Sequence, residues 1–152
     1  MNYINEVTLT FPSRSANEGY ARAAVSAFAA QLDPTLDEIG DIKTAVSEAV
    51  TNCIVHAYPD CVGKIYIRLR ILEGNVLEIV IRDKGLGIPD IAQAKTPMFT
   101  TGGEDRSGMG FTIMESFTDN LKIRSKENHG TTVTMRKKIS MRIGGVVRDR
   151  HA

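Results

Sequence analysis

The stretch Thr44-Ala-Val-Ser-Glu-Ala-Val-Thr-Asn-Cys-Ile-Val-His-Ala-Tyr58 decides how the rest of the chain is read. At helical spacing Ala45, Ala49, Val50, Cys53, Ile54 and Ala57 form one apolar face, and Glu48, Asn52 and His56 stand four apart on a single line. That line offers a carboxylate that can take a proton, a carboxamide whose carbonyl can ligate a hard cation, and an imidazole. The polar edge of any amphipathic helix has the same outline, so the line gains meaning only from what surrounds it.

Outward from this stretch, the helix begins near Leu36 and runs to about Ala57. Asp33-Pro34-Thr35 precedes it, and Thr35 with Glu38 three later has the form of a capping box. Residues 6–11 alternate as a strand ended by Pro12, and Ser13 and Ser15 both suit the N-cap of a first helix through Tyr20, Ala24, Val25, Phe28 and Ala29. After a turn at 58–63, residues 64–71 and 76–81 alternate as two strands around the hairpin turn Glu73-Gly74-Asn75. Residues 90–106 have weak periodicity and are expected to be a short helix and a mobile loop, and Gly108 opens a helix to about Phe117. Strands at 121–125 and 131–136 meet at Asn128-His129-Gly130. This order places helices on one face of a mostly antiparallel sheet, a two-layer α+β sandwich. It divides into a domain at 1–139 and a tail at 140–152 that shows no packing pattern and is expected to be mobile.

A chain of 152 residues with 42% apolar and 24% charged residues has the profile of one globular domain. Its net charge of +1 gives no general attraction to nucleic acid or membrane. No export signal and no apolar run of membrane-spanning length are evident, so the cytoplasm is the expected compartment. Cys53 and Cys61 lack metal-ligand spacing and are expected to be reduced thiols.

Chemistry gathers at three further places. Asp83-x-Gly85-x-Gly87-Ile88 puts a carboxylate at the end of a buried strand, where it needs a donor, and follows it with a glycine turn that a ligand can approach. The exocyclic amino group of adenine would be such a donor; an ordinary strand-ending turn has the same composition. Arg106-Ser107-Gly108-Met109-Gly110 enters a helix, where free N–H groups and the positive dipole end suit phosphate, although a flexible helix start reads alike. Gly130-Thr131-Thr132 adds a pair of hydroxyls at a strand start.

Taken in order, ExxxN on a helix, DxGxGI after a strand and a loop ending in GxG resemble the GHKL ATPases, whose nucleotide-binding architecture is the Bergerat fold. The resemblance spans roughly residues 3–138. Within that superfamily, Ser47-Glu-Ala-Val-Thr-Asn52, residues 81–88, Pro97-Met-Phe-Thr-Thr101 and residues 106–115 are most similar to the bacterial anti-sigma serine kinases, as are Gln31-Leu-Asp-Pro-Thr35 and Asp37-Glu38. The resemblance implies that Asn52 holds Mg²⁺ on the ATP phosphates and that Glu48 is the base. It implies that Asp83 binds the adenine amino group with Thr131 nearby, that Gly87 and Ile88 line the base pocket, and that Thr101, Arg106, Ser107, Gly108, Met109 and Gly110 cover the phosphates. His56 either reaches phosphate or metal or packs at the helix end.

The function implied is that of a homodimeric, ATP- and Mg²⁺-dependent protein serine kinase. It would sequester a sporulation sigma factor and phosphorylate the anti-anti-sigma antagonist, contacting neither nucleic acid nor membrane. Arg22 on the first helix, beside Arg14, Glu18, Tyr20 and Ala23, is the residue expected to meet these partners. An anti-sigma B type stress regulator, or a sequestering module whose nucleotide does no chemistry, are the alternatives. Glu48 argues against the second, since a pure nucleotide binder needs no base there.

Overall fold

The computed structural model describes residues 2–89 and 110–141. It contains β1 (Tyr3–Pro12), α1 (Ala16–Ala29), a 3₁₀ turn (Ala30–Leu32), α2 (Leu36–Asn52), a π-helical turn (Cys53–Ala57), β2 (Lys64–Leu72), β3 (Val76–Asp83), α3 (Gly110–Phe117), β4 (Asn120–Lys126) and β5 (Gly130–Lys138). The five strands form one sheet in the order β1-β2-β3-β5-β4, antiparallel at every pairing. The helices pack on one face, α2 between α1 and α3. This is the expected α+β two-layer sandwich.

Register explains where the core ends and the site begins. Leu9, Ile67, Ile81, Val133 and Ile123 are successive partners across all five strands, one apolar row under the helices. Against it pack Val25 and Phe28 of α1, Ile42, Val46 and Val50 of α2, and Met114 of α3. Burying each such side chain contributes about 1.5–3 kcal/mol. Two residues along each strand, on the same pleat face, come Phe11, Ile65, Asp83, Thr131 and Ser125. The core therefore turns polar at one end of the sheet, on the side it shares with the helices.

Local chemistry shapes the elements. Thr35 Oγ1 accepts from Glu38 N–H at 3.1 Å while Glu38 Oε1 accepts from Thr35 N–H at 2.8 Å, the expected capping box. Of the two serines suited to cap α1, Ser15 is at the N-cap but makes no side-chain capping bond. Ser13 is buried, and its hydroxyl accepts from Gly63 N–H instead, tying β1 to the entry of β2. The second helix does not run uniformly to Ala57: after Asn52 it widens into a π turn, closed by Tyr58 N–H donating to Cys53 C=O at 3.1 Å. Beyond β5, Ile139 exchanges bonds with Asn75 in the β2–β3 turn, and Ser140 N–H donates to Glu38 at 2.9 Å. Residues 142–152, most of the proposed tail, and the proposed short helix and loop at 90–106 lie outside the described residues.

Candidate functional site

The π turn shapes one wall. It brings the Ala57 carbonyl to the glycine turn after β3, where Leu86 N–H donates to it at 3.0 Å. A side chain at Gly85 would place its Cβ 2.2 Å from that same oxygen, so the turn closes only on glycine. Gly87 has φ +74°, and a Cβ there would lie 2.1 Å from the Lys126 carbonyl oxygen. The glycines expected from ligand approach are thus also required by the meeting of three backbone segments.

Asp83 sits at the centre, 5% exposed. Its Oδ1 accepts from Gly85 N–H at 2.9 Å and from Thr131 N–H at 3.2 Å, and its Oδ2 accepts from the Cys53 thiol at 3.6 Å. Burial pushes this carboxyl above the ordinary carboxylate value, and the three donors only partly offset it. No cation is among these partners, so a charge held mainly by two backbone amides retains acceptor capacity for an incoming donor. Thr131, read from sequence as a weak signal, sits beside it: its hydroxyl shares a 2.8 Å hydrogen bond with Ser125, whose oxygen also accepts from Ile88 N–H at 2.7 Å.

Glu48 and Asn52 lie one turn apart on α2, both half-buried. Among the described residues neither side chain has a hydrogen bond or ion pair. Asn52 faces the start of α3, where Gly110 leaves space for the carboxamide. His56 is half-buried in the π turn. Among the described residues no group of three His, Cys, Asp or Glu side chains could enclose a metal. From the described residues a hard cation at Asn52 would have the carboxamide oxygen and places open to water and ligand, the kind of coordination that magnesium takes on phosphates.

The structure brings Asp83, Gly87, Ile88 and Thr131 together at one end of the sheet, and Asn52 to Gly110. Thr101, Arg106, Ser107, Gly108 and Met109 lie outside the described residues. Arg22 is on α1, bonded to both Glu18 oxygens at 3.1 and 3.0 Å and to Ser47 Oγ at 3.2 Å, one residue before Glu48. Sequence reading missed Ser125, which alternation with Leu121 and Ile123 places on the inner face of β4. It also missed the Cys53–Asp83 bond, for which no local pattern exists.

Residues 11–137 match the histidine kinase-like ATPase domain family. The chain is 54% identical over 140 residues to the anti-sigma F factor of Caldanaerobacter subterraneus subsp. tengcongensis, covering 91% of this chain and 97% of that protein. It is 53% identical over 138 residues to the anti-sigma F factor of Bacillus subtilis, covering 90% and 94%. Among solved structures, a Mycobacterium tuberculosis protein with RsbU and RsbW domains superposes with a TM-score of 0.67 at 19% identity, over 94% of this chain and 35% of that one. The mycobacterial sensor histidine kinase MprB superposes at 0.56 and 16% identity, over 88% and 100%. These two likenesses speak to the fold, a Bergerat-type sandwich. Identity above one half over nine-tenths of the chain, on a histidine kinase-like ATPase domain, shows that this protein belongs to the anti-sigma F factor family.

Proposed function

We propose that the protein is an ATP-dependent serine kinase that sequesters a sporulation sigma factor and phosphorylates the anti-anti-sigma antagonist. The observation that carries the reading is the separation of roles along α2 and β3. A buried, amide-held carboxylate at Asp83 suits a base amino group, and a carboxylate at Glu48 stands one turn before a carboxamide that faces the α3 start. Asn52 would hold Mg²⁺, which when bound neutralises phosphate charge.

Asp83 accepts from the adenine amino group, while Gly87 and Ile88 line the base. Gly110 keeps the start of α3 close to Asn52, where backbone N–H groups of a helix start would serve the phosphates. The serine hydroxyl oxygen of the antagonist attacks the γ-phosphorus, the bond to the ADP oxygen breaks, and Glu48 takes the serine proton. Thr101, Arg106, Ser107, Gly108 and Met109 complete the phosphate cover. Arg22 meets the sigma factor and its antagonist in competition, on a homodimer that works in the cytoplasm. Phosphorylation releases the antagonist and restores sequestration.

The names of the relatives, anti-sigma F factors, favour a sigma F type of partner over a sigma B type. Incubation with ATP and an anti-anti-sigma protein, followed by intact mass of that protein, tests the reading. One added phosphoryl group on serine, absent with ADP, is expected. An unmodified partner that nevertheless displaces sigma factor would leave a sequestering module without chemistry.

A further inference from the structure

The nucleotide reading gives a role to each backbone donor on Asp83 but none to the Cys53 thiol. Oδ1 is occupied by two N–H groups, so Oδ2 is the oxygen left to face a base. The only donor on Oδ2 among the described residues is the thiol, 3.6 Å away, a distance suited to sulfur's larger radius. Cys53 is 4% exposed, and its sulfur is placed against Asp83 Oδ2 inside the core, where the thiol is the group that donates. It is the first residue of the π turn, directly after Asn52, so one helix end serves both phosphate and base.

We infer that Cys53 is a positioning residue for base recognition: its thiol proton, donated to Asp83 Oδ2, holds the carboxylate as an oriented, acceptor-only group that selects a base with an exocyclic amino group. This rests on the adenine reading above. A carboxylate oxygen has two lone-pair directions, and the thiol occupies one of Oδ2's and leaves the other. A thiol is a weak donor, so it restrains the oxygen without spending its acceptor strength. Without it, only Oδ1 orients the group, and Oδ2 is free to turn or to carry a proton. A protonated Oδ2 would donate, and would then accept a base bearing a carbonyl in place of the amino group.

A purely packing role makes a different demand. Serine and alanine leave similar space at position 53, and alanine suits an apolar core better. Calorimetry with Mg²⁺ and either ADP or inosine diphosphate on wild type, Cys53→Ala and Cys53→Ser separates the two roles. Cys53→Ala is expected to weaken ADP binding roughly threefold to tenfold, the range for one hydrogen bond, while inosine diphosphate binding changes less than about twofold, and Cys53→Ser restores the preference. Retained ADP affinity in Cys53→Ala, or serine no better than alanine, overturns the inference alone. Wild type with equal affinity for both nucleotides removes the adenine reading and this inference with it. A second measurement does not depend on how the position 53 variants fold. In a Cys61→Ser background Cys53 is the sole thiol, and its S–H stretching band is expected to move to higher frequency in Asp83→Asn. An unmoved band overturns the hydrogen bond itself.

Discussion

Asn52 and Gly110 meet where α2 ends and α3 begins: a Cβ built on Gly110 would lie 3.0 Å from Nδ2 and 3.1 Å from Oδ1 of Asn52. The glycine is not there for an unusual backbone conformation, since it opens a helix. It is there because the carboxamide occupies the space a side chain would take. Gly110→Ala should therefore leave the fold intact and push Asn52 off its rotamer. At about 0.5–1.5 kcal/mol for that displacement, Mg²⁺-dependent ADP binding should weaken roughly twofold to tenfold. Calorimetry with and without Mg²⁺ checks this, and equal loss in both conditions would show that the metal ligand is not what moved.

Asp83 trades stability for an acceptor. Burial raises its carboxyl above the ordinary value of about 3.9, so the folded state binds the proton more tightly than the unfolded chain does. Its contribution to stability accordingly falls as pH rises from that ordinary value to the raised one, and the cost is complete above it. Asp83→Asn removes the charge, so without nucleotide its melting temperature relative to wild type should climb through this window and then level off. The nucleotide-induced rise in melting temperature should be lost. A pH-independent difference between the two proteins would mean that Asp83 keeps an ordinary value.

Glu48 and Asn52 share a helix face, and their variants should fail differently. Glu48→Ala leaves the Asn52–Gly110 contact in place and removes the group that takes the serine proton. Phosphorylation should slow by about 10²–10⁴ while nucleotide binding and sigma factor capture persist. Asn52→Ala should impair Mg²⁺·ATP binding and every step that follows from it. Single-turnover phosphorylation beside nucleotide binding resolves the pair, and a normal rate in Glu48→Ala would assign the proton to another group.

The Arg22 guanidinium is shared between Glu18 and Ser47 on a partly exposed surface. An exposed pair of this kind contributes about 0–1 kcal/mol, so Arg22→Ala should melt close to wild type. If the α1 face meets partners, capture of sigma factor or of its antagonist should weaken by at least about 1 kcal/mol, with ATP binding unchanged. Pull-down titrations with each partner measure this, and undiminished capture of both would place the interface elsewhere.

Periodicity was enough for most of the described elements and for which polar groups of the candidate site stand among them. The helical repeat from Ala45 to Ala57 marks the buried face of α2 and of the π turn after it, and puts Glu48 and Asn52 on one line. The two-residue repeat through Ile79, Ile81 and Asp83 marks a carboxylate on the core face of β3. Both repeats are local, because a side chain's direction follows from its own backbone. Distances between elements are not local. Asp83 touches Cys53 thirty residues earlier and Thr131 forty-eight residues later only because α2 crosses the sheet end and β5 inserts beside β3. The π turn, the Ser125–Thr131 pair and the approach of Gly110 to Asn52 arise in the same way, from close packing that a one-dimensional pattern does not encode. The sequence by itself determined which residues face inward and which polar groups stand among them; only the tertiary structure decided which of those groups touch.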